Sequence, residues 1–120
     1  MKTLLAVDDD VDFLDELRIG LELCGYHVLT EPDPAEALKL MRVIKPACIL
    51  FDLRMPKTHG FQFFEDMKSD PVLRRIPAIA MSGYYTNDYE AYLSLLGIKR
   101  FLRKPFSPNN VSELVGSAVH

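Results

Sequence analysis

The sequence predicts an α/β domain in which a five-stranded parallel sheet is wound on both faces by helices. Three observations carry that expectation. Short apolar runs of strand length alternate along the chain with stripes of helical spacing, the pattern that calls for a parallel sheet between two helical layers. Several of the runs are apolar at every position and stop abruptly at a charged or hydroxyl residue, as strands buried on both faces do. The chain has 120 residues. That is about one domain, long enough to bury roughly two-thirds of its unfolded surface, so residues 1–120 are expected to form a single domain.

Leu4-Leu5-Ala6-Val7 is the first strand, closed by Asp8. Leu14, Leu17, Leu21 and Cys24 then recur on one helical face that Gly25 ends. His27 to Thr30 is a weaker second strand. Asp33 caps the next helix with Pro34 at its first position, Leu38, Met41 and Ile44 face inward, and Pro46 stops it. Ala47 to Phe51 is the strongest buried strand and ends at Asp52. Gly60, Phe61, Phe64 and Met67 mark a short helix broken at Ser69-Asp70-Pro71. Ala78 to Ser82 is the fourth strand. Tyr89, Tyr92, Leu93 and Leu96 form a helical stripe closed by Gly97, Ile98 to Arg103 is the fifth strand, and Val111, Leu114, Val115, Ala118 and Val119 give a last amphipathic helix. Right-handed crossovers leave few topologies for five such strands, and the flavodoxin-like order 2-1-3-4-5 suits them.

Composition narrows the function. The net charge is −3, against the basic face of a nucleic-acid-binding domain. No apolar run approaches the roughly 18 residues of a membrane span, and the apolar start is broken too early by Asp8 for a signal peptide. Cys24 and Cys48 both lie in apolar surroundings without C-x-x-C spacing, and are expected to be buried reduced thiols in a cytoplasmic protein.

The polar strand ends carry the chemistry. In an open α/β sheet the ligand crevice lies outside the carboxyl ends of the strands, where strand order reverses. Strand 1 ends in Asp8-Asp9-Asp10, strand 3 in Asp52, strand 4 in Ser82 and strand 5 in Lys104-Pro105, so these groups would converge. Crowded carboxylates raise one another's pKa unless a cation joins them, and an open all-oxygen site suits Mg²⁺. One carboxylate could then attack phosphorus. The lysine would neutralise charge on the phosphoryl oxygens while the serine hydroxyl donates to one of them. Each residue taken alone has a plainer role. Asp9 or Asp10 could cap the first helix, Asp52 and Ser82-Gly83 could be turn residues, and Lys104-Pro105 a strand exit. Their coincidence at four strand ends is what points to phosphoryl transfer onto an aspartate.

On these residues the chain resembles a response-regulator receiver domain, the phosphoacceptor module of two-component signalling, over essentially its whole length. Leu4-Leu5-Ala6-Val7-Asp8-Asp9-Asp10 matches the strand ending in an acidic pair. Asp52-Leu53-Arg54-Met55-Pro56 followed by Gly60 matches the phosphoacceptor segment, Ile76 to Gly83 the strand delivering a hydroxyl, and Lys104-Pro105-Phe106 the lysine-proline signature. The resemblance implies that Asp52 is the phosphorylated nucleophile. Asp8, Asp9, Asp52 and the backbone carbonyl of Arg54 would hold Mg²⁺, Asp9 more directly and Asp8 through water. Ser82 and Lys104 would grip the phosphoryl group. Ser82 and Phe101 would switch the face of the fourth helix, fifth strand and fifth helix, where Tyr84, Tyr85, Tyr89 and Tyr92 cluster. Arg54 and Tyr84 stand where the family tunes loss of the phosphoryl group. Ser82 for threonine and Gly83 for alanine are mild departures. The implied partners are a sensor histidine kinase or phosphotransfer protein and a downstream protein. The implied assembly is a monomer or a weak phosphorylation-dependent dimer.

Other readings compete. Asp8-Asp9-Asp10 has the acid spacing of haloacid-dehalogenase-like phosphatases, although Asp12 stands where their pattern has threonine or valine and the chain leaves little room for a cap. A flavin site would want a Ser/Thr/Gly-rich phosphate loop after strand 1, where this chain has three carboxylates. A receiver fold serving as a phosphate-independent interaction module is open to any chain of this fold.

Overall fold

In the computed structural model, which describes residues 1–54, 60–83, 91 and 93–119, five strands form one parallel sheet in the order β2-β1-β3-β4-β5. The strands are β1 (Thr3–Val7), β2 (His27–Glu31), β3 (Cys48–Asp52), β4 (Ala78–Ser82) and β5 (Arg100–Arg103). The helices are α1 (Val11–Leu23), α2 (Pro34–Ile44), α3 (Gly60–Ser69) and a C-terminal helix (Pro108–Ala118), with one 3₁₀ turn at Leu73–Arg75. Ala91 and residues 93–95 are also helical.

Alternating side chains of the sheet feed two separate cores. Leu5, Val7, Ile49, Phe51 and Ala80 pack with Ala37 and Met41 of α2, Phe63, Phe64 and Met67 of α3, and Leu93 and Ile98. Leu4, Ala6, Leu50, Ile79, Met81 and Leu102 face the other way, onto Leu14, Leu17 and Leu21 of α1 and Val111, Val115 and Ala118 of the C-terminal helix. This period-2 division explains why Leu4–Val7 of β1 and Cys48–Phe51 of β3 are apolar at every position.

Most helix ends follow local chemistry. The Asp33 carboxylate accepts from the Ala35 N–H ahead of Pro34, and Ser107 and Asn110 form a reciprocal capping box on the C-terminal helix. Pro46 ends α2 through the left-handed cap at Lys45, φ 46°.

Two expectations need correction. Cys24 is exposed, and only Cys48 is buried. Cys24 is the C-cap of α1, one step past the inward stripe, where the chain turns away at Gly25 (φ 95°). β5 begins at Arg100, with Ile98 buried but outside the ladder. The inward stripe of α2 holds: Met41 is buried with Pro34 and Ala37, and Leu38 and Ile44 are half-buried against the same core. Tyr84, Tyr85, Tyr89, Tyr92, Met55, Pro56, His59 and His120 lie outside the described residues.

Candidate phosphoacceptor site

Parallel register brings the polar strand ends together. β1 and β3 are neighbours with Val7 opposite Phe51, so Asp8 and Asp52 leave the sheet side by side. β4 lies beyond β3 with Met81 opposite Asp52, and β5 beyond that with Arg103 opposite Ser82. The Lys104 N–H donates to the Ser82 carbonyl at 2.8 Å, carrying the pairing one step past β5. A cis peptide bond joins Lys104 to Pro105.

Asp8, Asp9 and Asp52 bring one carboxylate oxygen each to within 4.8 Å of one another. Asp8 and Asp52 are buried and Asp9 is exposed, so the cluster opens to solvent on one side. Lys104 Nζ donates to Asp8 Oδ2 at 2.6 Å and to Asp52 Oδ2 at 3.3 Å. The second oxygens also have partners: Asp8 Oδ1 accepts from the Asp10 N–H at 3.0 Å and Asp52 Oδ1 from the Arg54 N–H at 3.1 Å. Burial raises the Asp8 pKa to about 6, against the lowering pull of the Lys104 and Asp10 hydrogen bonds and with help from the Asp52 charge. One ammonium therefore does not offset the cost of holding Asp8 ionised. A donor set of hard carboxylate oxygens, open to water at Asp9, fits a divalent cation such as Mg²⁺.

Three further residues shape the site, of which Phe13 alone had not stood out in the sequence. Phe13, in the first turn of α1 at the edge of its apolar face and packed against the same core as Leu14, Leu17 and Leu21, sets its ring centroid 4.0 Å from Lys104 Nζ. The signal that could have found it is an aromatic at the edge of the apolar face of a helix that follows an acidic run, one turn before Leu17. Asp10 is the N-cap of α1, accepting from the Phe13 N–H at 3.1 Å, so the plain capping role holds for the third aspartate. Gly60, at the start of α3, donates its N–H to the Leu53 carbonyl at 3.1 Å. A Cβ there would stand 2.3 Å from the Asp52 carbonyl oxygen and 2.4 Å from Leu53 Cα, so only glycine lets α3 begin against the end of β3.

The remaining sequence-derived residues are placed as follows. Ser82 is fully buried at the end of β4. The Arg54 side chain is exposed just beyond β3. Phe101 is half-buried in β5 opposite Ala80, against the core shared with α2 and α3.

The receiver-domain family model of response regulators matches residues 4–116. The chain belongs to the response-regulator receiver family. Over 115 residues it is 31% identical to the alkaline phosphatase synthesis transcriptional regulatory protein PhoP of Bacillus subtilis, covering 95% of this chain and 47% of that protein. It is 28% identical over 116 residues to the polar-differentiation response regulator DivK of Brucella anthropi, covering 97% of this chain and 94% of DivK. The chain thus spans about half of the first relative and nearly all of the second. The chemotaxis protein CheY4 of Vibrio cholerae shares its fold with a TM-score of 0.90 at 24% identity over 99% of both chains. A response regulator from Desulfuromonas acetoxidans gives a TM-score of 0.89 at 26% identity, over 98% of this chain and 95% of that one. This protein is a receiver domain of the two-component type, a phosphoacceptor switch module. Receivers work with histidine kinases or phosphotransfer proteins and bind Mg²⁺ at an acidic pocket.

Proposed function

We propose that Asp52 is the phosphoacceptor of this receiver, phosphorylated by a sensor histidine kinase, a phosphotransfer protein or a small acyl phosphate in a Mg²⁺-dependent reaction. The observation that carries this reading is the convergence of Asp8, Asp9 and Asp52 around the Lys104 ammonium. Asp8, Asp9, Asp52 and the Arg54 carbonyl would hold the metal, which when bound supplies positive charge beside the phosphoryl oxygens. The Asp52 carboxylate, ionised and needing no base, attacks phosphorus while the bond to the donor breaks and the donor leaves with its electron pair. Lys104 exchanges a carboxylate partner for a phosphoryl oxygen, and the Ser82 hydroxyl donates to another.

The readout follows from the same residues. Engagement of Ser82 draws the end of β4 toward the phosphoryl group, and Phe101 of β5 repacks with it, a local charge event biasing a two-state element. The face of the fourth helix, fifth strand and fifth helix would then meet a downstream protein, with the domain a monomer or a weak dimer in the cytoplasm and residues 1–120 acting as one unit. The test is intact mass after incubation with acetyl phosphate and Mg²⁺. Wild type should gain one phosphoryl group, and Asp52→Asn none. A wild type that neither gains mass nor binds beryllofluoride would make the domain a phosphate-independent module.

A further inference from the structure

Lys104 is the single cation paired to the carboxylate cluster among the described residues, and its ammonium has a third neighbour besides Asp8 and Asp52. The Phe13 ring centroid lies 4.0 Å from Nζ, within the range at which an aromatic quadrupole attracts a cation. Phe13 is held at its backbone and at its ring. Its backbone N–H is tied to the Asp10 carboxylate at 3.1 Å. Its side chain meets Phe106 edge-on, with centroids 5.9 Å apart and planes at 83°, a favoured aromatic geometry. Phe106 lies two residues beyond Lys104, so α1 and the segment leaving β5 grip the lysine between them.

A lysine is a flexible point charge that loses much rotamer freedom when fixed. In the resting site the two carboxylates hold it at 2.6 and 3.3 Å. Those same carboxylates are the ones a divalent cation would take and, at Asp52, a phosphoryl group would modify, so the carboxylate tether weakens when Lys104 is needed. An aromatic face does not compete for metal or phosphate and keeps its hold throughout. We propose that Phe13 is a positioning residue, whose ring holds the Lys104 ammonium at the mouth of the carboxylate cluster independently of the acids. Phe106 packs against the ring, and the Asp10 cap fixes the backbone that carries it. The proposal rests on the phosphoacceptor reading for its consequence, but the contact can be tested without it.

The test compares Phe13→Leu, which keeps apolar bulk but loses the ring face, with Phe13→Tyr, which keeps both. The first readout is the pair of Lys104 ε-methylene proton resonances in ¹³C-lysine-labelled protein saturated with Mg²⁺. Two separated lines mean a fixed side chain and one averaged line a free one. Wild type and Phe13→Tyr should show two lines and Phe13→Leu one. The second readout is the maximal rate of phosphorylation by acetyl phosphate, separated from apparent donor affinity. Phe13→Leu should lower that rate about fivefold to tenfold, in keeping with one cation–π contact, and Phe13→Tyr should recover most of it. Two separated lines in Phe13→Leu, or an equal loss of rate in both variants, would overturn the proposal and leave Phe13 as packing. If wild type takes up no phosphoryl group, the phosphoacceptor reading fails instead, and the resonances alone decide the role of Phe13.

Discussion

Asp8 has no exposed surface, and its carboxylate is held by one ammonium and one backbone N–H. Burial outweighs both and lifts its pKa from 3.8 to about 6. Between those values the folded protein keeps a proton that the unfolded chain has released. The resulting stabilisation is complete below about pH 3.8 and is lost as pH rises through about 6. A rise of that size corresponds to roughly 3 kcal/mol. Asp8→Asn removes the titration. Without metal, the stability gap between variant and wild type should therefore move in the variant's favour by about 2–3 kcal/mol between pH 4 and pH 7.5. Urea unfolding in chelator at the two pH values measures the gap, and an unchanged gap would contradict the burial argument. The identity of Asp8 was legible from its place at the end of an apolar strand. The sign of its shift was not, because burial and the Lys104 contact, 96 residues away, exist only in the folded chain.

Among the elements, the junction of β3 and α3 sets the segment that carries Asp52, the proposed phosphoacceptor. Asp52 and Leu53 pass so close under the start of α3 that a Cβ at Gly60 would meet backbone at 2.3 and 2.4 Å, with no flexible side chain there to give way. Gly60→Ala should cost about 2–3 kcal/mol and slow phosphorylation, because it displaces the backbone that carries the Asp52 carboxylate. Gly83→Ala is the control. A Cβ there meets nothing within 4 Å, so its melting temperature should match wild type, and thermal melts of the pair check the contrast. The strands were legible because β1, β3 and β4 are apolar on both faces, and the caps because Asp33-Pro34 carries its own hydrogen-bonding logic. Less legible was how α2 sits. A stripe of Leu38, Met41 and Ile44 is helical in spacing, but which edge of it lies deepest depends on the small Ala37 packing against the sheet. Cys24 shows the same limit: spacing put it on the stripe, and the end of α1 took it off.

For the molecule as a whole, the candidate site is a product of the fold and exists nowhere in the unfolded chain. Its carboxylates come from two strands that are adjacent only because the order is 2-1-3-4-5, and the lysine is 52 residues from Asp52. A ligand that needs all of them binds the native state alone, so binding appears as global stability by mass action. At ten times its dissociation constant Mg²⁺ should add about 1.4 kcal/mol, which for a domain of this size raises the melting temperature by roughly 4–6 °C. Asp9 separates metal binding from folding cleanly. It is exposed, and Asp10 rather than Asp9 caps α1, so Asp9→Ala should melt within about a degree of wild type in chelator, as surface substitutions do. The same variant should lose most of the Mg²⁺-dependent rise, since it removes the solvent-facing member of the cluster. Calorimetric melts of both proteins across a Mg²⁺ titration make the measurement. An Asp9→Ala protein that still gains the full rise would shift the metal away from this cluster and take the Mg²⁺ assignment with it.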